Sequence, residues 1–137
     1  MAVAKWATPS TRSSNLASTT LNSIANGAET GAISYDNSTN LDLYGSVTIK
    51  LGSITPATGG SITLRVTLND GTDTADRIGG DLYVVPLISG ASAKVAVINM
   101  VRLYPYSMRL SVVNNAGVAF ASSGNEIYVR PWNEDIA

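Results

Sequence analysis

The chain contains no cysteine and no histidine, and only 14% of its 137 residues are charged. Without cysteine there is no disulfide and no thiolate nucleophile. Without histidine the usual general base at neutral pH is missing, and with it any Ser-His-Asp set and most zinc sites. The charges nearly cancel, at a net −1, with Lys and Arg scattered. No basic stripe exists to release counterions from a nucleic acid, so nucleic acid is not an expected partner. No apolar run approaches the length of a membrane span, and Met1 to Pro9 lacks the apolar stretch of a signal peptide. Neither a membrane nor a removable leader is expected. The glycine pairs Gly59-Gly60 and Gly79-Gly80 lack the Lys-Ser/Thr of a phosphate cradle and read as turns. The acidic residues sit mostly in loops or near the terminus, with no apolar setting to raise a carboxyl pKa, as paired-carboxylate hydrolysis requires. The expectation is a protein that is not an enzyme and needs no cofactor.

What the chain does have is alternation. Leu41, Leu43, Gly45, Val47, Ile49 and Leu51 fall on one side of a stretch whose other side is Asp42, Tyr44, Ser46, Thr48 and Lys50. Ile62, Leu64, Val66 and Leu68 likewise oppose Ser61, Thr63, Arg65, Thr67 and Asn69. A period of two means strands with one face on a core. The turn chemistry of Thr55 to Gly60 reads the two as antiparallel neighbours. A straight strand over 41–51 would span about 36 Å, longer than a globule of this size accommodates, so Gly45 is expected to permit a bulge. Pro86 places the strand over 82–88 at an edge or bulge. Residues 94–103 are apolar on both faces, which predicts a central strand or one covered by a partner. The strand opening at Met108 runs to a hairpin turn at Asn114 to Gly117, leading into a strand over 118–121. A second turn leads into another over 126–132. About eight strands with regularly spaced turns predict an all-β antiparallel sandwich, jelly-roll-like, over residues 19–137. Its expected core includes Leu43, Val47, Ile49, Leu64, Val66, Val97, Leu110 and Val129, while Thr67 is expected to face water.

Residues 1–18 are rich in Ser, Thr, Ala and Asn and have no hydrophobic period. They read either as a frayed terminus or as an arm, with Trp6 as anchor and Lys5 and Arg12 beside it. As an arm it would be mobile in isolation and ordered against a neighbouring subunit. The candidate interface is the run holding Met100, Arg102, Tyr104, Tyr106, Met108 and Arg109, because Met, Tyr and Arg are enriched where proteins meet. The bland alternative is that the tyrosines cap a core while the arginines reach solvent. Trp132, beside Arg130 and Pro131, is a second anchor. Asp70, Asp73, Asp76 and Asp81 suggest calcium by number, but their spacing is not that of an EF-hand, and the expectation is a solvated, self-repelling surface loop with no metal site.

Leu21 to Gly27, Asp36 to Tyr44, Thr48 to Ser53 and Gly124 to Asn133 together resemble small structural proteins of tailed bacteriophages. In size and β content the best likeness is to jelly-roll cement or decoration proteins of podovirus-like heads. That resemblance implies a dimeric subunit, made in the host cytoplasm and seated in the virion on the outer face of the major capsid protein lattice. It carries no residue-level roles. The alternative of another class is a carbohydrate-binding β-sandwich of a phage tail or baseplate, with Tyr and Trp stacked on sugar rings.

Overall fold

The computed structural model describes residues 2–76 and 80–136, and among these no helix forms. Nine strands run in chain order: β1 (Ala4–Trp6), β2 (Ile33–Asp36), β3 (Tyr44–Ile54), β4 (Ser61–Thr67), β5 (Asp81–Pro86), β6 (Ser92–Arg102), β7 (Ser107–Asn115), β8 (Glu126–Trp132) and β9 (Glu134–Ile136). They make a four-stranded sheet ordered β2-β7-β4-β5, a three-stranded sheet ordered β6-β3-β8, and a short β1-β9 ladder. The pairings are antiparallel. Val47, Ile49 and Leu51 of β3 with Ile127 and Val129 of β8 share one core with Ile62, Leu64 and Val66 of β4 and Met108, Leu110 and Val112 of β7. The fold is therefore the expected all-β antiparallel sandwich. Burying each such side chain contributes about 1.5–3 kcal/mol.

Alternation located the strands and their inward faces, but it does not name their neighbours. β3 and β4 are not a hairpin: they lie in opposite sheets, and the turn between them carries the chain across the core. The strand over 41–51 starts late. Leu41 adopts a positive φ of 54°, which breaks the extended chain and leaves both Leu41 and Leu43 exposed. Leu43 is thus not core. The bulge of β3 itself falls between Leu51 and Ile54, not at Gly45. Beside Gly45 the extra residue is on β6: the β3-β6 register shifts between Gly45 and Val47, while that of β3 with β8 runs on unbroken. Across that interval Asn99 and Met100 both face Ser46. The extra residue resets the phase of β6, so that Ala96 and Val101 point inward while Val97, 50% exposed, points out.

β6 is accordingly an edge strand rather than a central one, and Val97 leaves the expected core. Pro86 ends β5, which is the edge of the other sheet as its proline required. Thr67 is buried rather than solvent-facing, because the chain folds back at the end of β4 with Ala75 N–H donating to the Leu68 carbonyl. Residues 118–121 form no strand. Phe120 is buried there, and its N–H donates to the Ile24 carbonyl.

The N-terminal segment, expected to reach a neighbour, instead runs along β8 of its own chain. The N–H groups of Ala7, Ser10, Ser13 and Leu16 donate to the carbonyls of Asn133, Pro131, Val129 and Ile127 at 2.8–2.9 Å. Every third arm residue meets every second strand residue. The shortfall in backbone acceptors is made up by side chains: Val129 N–H donates to Ser13 Oγ, and Ile127 N–H to Asn15 Oδ1, each at 3.0 Å. Pro131 has no N–H to satisfy. The edge of β8 is thereby closed without a regular strand.

Candidate functional site: an aromatic groove beside an open strand

The outer face of β6-β3-β8 carries the molecule's aromatic cluster. Tyr44 of β3 and Trp132 of β8 are directly opposite in the ladder, and their rings stack at 4.6 Å between centroids, 23° from parallel. Trp6 meets Trp132 edge to face at 5.0 Å. Such geometries let the positive ring edge meet the negative face. Trp132 is pinned further, its Nε1–H donating to the Asn99 carbonyl at 3.0 Å. Trp6 remains 65% exposed.

Between these rings and the bulge in β6 lies a groove of about 560 Å³, lined by Trp6, Ala7, Pro9, Ser46, Asn99, Met100 and Trp132. Its lining is almost wholly apolar. The Ser46 hydroxyl and the Trp132 N–H both already donate to the Asn99 carbonyl. Beyond Met100, which is 55% exposed, the apolar surface continues along β6 through Val97 and Val95. No strand pairs with the outer edge of β6 among the described residues.

Arg12 extends the same face. Its guanidinium sits 3.7 Å over the Tyr128 ring, with the Lys50 ammonium 5.5 Å from that centroid. The Tyr128 hydroxyl donates to Glu126 Oε2 at 2.7 Å. That bond, with some desolvation, raises the phenol pKa.

The run from Met100 to Arg109 is not one patch. Met100 belongs to the groove, and Met108 is buried in the core, its sulfur accepting the Tyr104 N–H at 3.3 Å. Arg102 and Tyr104 sit at the corner between β6 and β7, the guanidinium 5.9 Å from the Tyr104 ring. There the Tyr104 hydroxyl donates to Asp81 Oδ2 at 2.7 Å, and this bond, followed by burial, pushes its pKa up to about 12. Tyr106 is half-buried, with its ring close to Gly71, where an added Cβ would lie 3.1 Å from it. Arg109 is exposed on the other sheet. Met108 therefore leaves the interface set, and Arg109 stands apart from the groove.

Tyr44, Ser46, Asn99 and Pro9 belong to the site but were not singled out in the sequence. For Tyr44 and Ser46 the signal was present in the polar side of the β3 alternation. For Pro9 no signal existed, because the path of the arm has no hydrophobic period.

The acidic loop shows how its carboxylates are engaged. Asp70 Oδ1 accepts the N–H groups of Asp73 and Thr72 at 2.7 and 2.8 Å, which lowers its pKa. Asp81 holds Tyr104. No group of three carboxylates converges among the described residues, and residues 77–79 of that loop lie outside them.

Compared with protein-family models, curated proteins and solved structures, the chain matches none.

Proposed function

We propose that this protein is a structural subunit of a bacteriophage virion, a decoration or cement protein that binds the outside of the major capsid protein shell and stabilises it. The jelly-roll kind of sandwich, the virion location and the identity of the partner rest on the resemblance of its sequence strings. The observation that carries the binding mode is the groove of Trp6, Pro9, Met100 and Trp132 running into the exposed strip of Val97 and Val95. Large aromatic and Met side chains with few free polar groups fit an apolar protein segment, since they bury much area at low ordering cost.

Sugar recognition needs several free donors and acceptors around the stacking ring to pair with hydroxyls. Here the Ser46 hydroxyl and the Trp132 N–H are already engaged, so a protein partner is the better-supported reading. As cement, each copy would bury a modest area, and many copies would add their effects across the shell. Copies would associate with one another through the open edge of β6.

The test is to load the protein onto expanded capsids that lack it and measure occupancy by cryo-electron microscopy. Met100→Glu should lower occupancy while leaving the fold intact by circular dichroism. Full loading of the variant, or no loading of the native chain, overturns the reading. Glycan-array binding lost on Trp6→Ala would replace it with the carbohydrate alternative.

A further inference from the structure

The chain has no cysteine, so its thioethers are the side chains most open to two-electron oxidants. It has three methionines, and the two that lie among the described residues stand at opposite extremes. Met108 is 1% exposed in the core, its sulfur already accepting the Tyr104 N–H at 3.3 Å. Met100, beside the bulge of β6, is 55% exposed and lines the aromatic groove. An oxidant meets Met100 directly from solvent, and Met108 only when the core opens.

The groove gives that exposure a consequence. Its wall is almost wholly apolar, and the Ser46 hydroxyl and the Trp132 N–H are both committed to the Asn99 carbonyl. Oxidation turns the flexible, apolar thioether into a polar sulfoxide. In this wall the new oxygen is a strong acceptor met chiefly by water. An apolar segment seating over it would strip that water without replacing its bonds, which disfavours burial.

We propose that Met100 is a reversible oxidation site and that its sulfoxide closes the groove to apolar protein segments. The oxidant is a peroxide. The thioether sulfur attacks one peroxide oxygen, an S–O bond forms as the O–O bond breaks, and sulfur gives up two electrons. The departing oxygen takes the proton of the transferred one, leaving as water from hydrogen peroxide or as an alcohol from an alkyl hydroperoxide. A dithiol-dependent sulfoxide reductase reverses the change: the oxygen leaves as water while two thiols join in a disulfide. The oxidation site stands whatever the groove binds, whereas its closure to a protein segment rests on the groove being the capsid-binding surface proposed above.

Trypsin separates the methionines, since cleavage after Lys5, Lys94, Arg102 and Arg109 puts Met1, Met100 and Met108 in different peptides. When the folded chain meets dilute hydrogen peroxide, peptide 95–102 should gain one oxygen faster than peptide 103–109, by on the order of tenfold or more, because Met108 waits for the core to open. In urea the two rates should converge. Both tryptophans line the groove, so their fluorescence reads it without any partner. Water drawn to the sulfoxide should shift their emission to longer wavelength. Sulfoxide reductase should restore it, and Met100→Leu should show no shift.

On capsids, the oxidised chain should load several-fold less than the untreated one and recover on reduction, with Met100→Leu indifferent to peroxide. Equal oxidation of Met100 and Met108 in the folded chain overturns the site. Unchanged tryptophan emission, or undiminished loading of the oxidised chain, overturns the closure. Failure of the untreated chain to load overturns the capsid reading instead, and the oxidation site is then decided by the peptides and the fluorescence.

Discussion

The three-stranded sheet has two edges, and the chain treats them in opposite ways. The edge of β8 is closed by a polar, aperiodic arm whose Ser13 and Asn15 side chains accept the N–H groups that a regular strand would have paired. Among the described residues nothing pairs with the outer edge of β6 along its eleven residues. Edge strands are ordinarily guarded by charge or proline, because unpaired N–H and C=O groups recruit other strands. Pro131 serves that purpose on β8 and Pro86 on β5. On β6 the only charged residues are Lys94 and Arg102, and Lys94 is buried with its ammonium donating to the Gly90 carbonyl and Ser92 Oγ. Residues 95–101 carry neither charge nor proline, and their one interruption is the bulge at Asn99 and Met100. One edge of the sheet is thus covered by the chain itself and the other presents an apolar strand, which is the edge the proposed association uses.

The two edges are comparable only if the strand between them is a shared frame. β3 is paired on both sides, and Ile49 is fully buried. Ile49→Ala should cost about 2–5 kcal/mol, the loss of burial plus the cavity left behind. Chemical denaturation would read this as a lowered midpoint with an unchanged slope. A cost below about 1 kcal/mol, out of line with a core cavity, would mean that the sheet is not held through β3.

The closed edge comes next in size. Asn15 Oδ1 accepts both the Ile127 N–H and the Ala17 N–H at 3.0 Å. Asn15→Ala strips acceptors from two donors, one of them on a strand in the sheet. The expected loss is about 1–3 kcal/mol, the penalty for unsatisfied backbone groups. Amide hydrogen exchange should show Ile127 deprotected while Ile49 is not. If stability is unchanged, the arm is not what closes β8.

These particulars show what was legible beforehand. Val47, Ile49, Leu64 and Val66 could be read as core because a two-residue period reports which face of a strand is inward. The same pattern is blind to which strands are neighbours, and a turn from Thr55 to Gly60 suits a hairpin or a crossing between sheets equally. Val97 was misplaced because the bulge opposite Ser46 shifts the phase of β6, and a bulge leaves no mark in hydrophobicity. Trp6 and Trp132 each stood out as anchors. Their meeting was hidden, since it depends on an arm that advances three residues for every two of β8 and uses side-chain oxygens as acceptors.

A smaller effect separates the corner at Tyr104 from the groove. The pKa of Tyr104, raised to about 12 chiefly by its hydrogen bond to Asp81, exceeds that of an unfolded tyrosine near 10. Its contribution to stability is therefore fully present below pH 10 and is lost as the pH rises toward 12. Tyr104→Phe should flatten the fall in melting temperature across that window, leaving the part due to Tyr35 and Tyr128, whose pKa values are also raised. An unchanged alkaline profile would show that the Asp81 bond is not kept in solution.

The smallest expected change in stability tests the open edge most directly. Val97 lies at the centre of β6, half exposed, opposite Thr48 and clear of the core. Val97→Lys removes no buried contact and places a guarding charge where an edge strand would ordinarily carry one. Its effect on the melting temperature should be within that of about 0.5 kcal/mol, as for other surface substitutions. Association is where it should act, since a strand added beside β6 would have to desolvate the new ammonium. Sedimentation of native chain and variant at matched concentrations should therefore show weaker self-association in the variant with an unchanged circular dichroism spectrum. Equal association would mean that copies do not meet at β6.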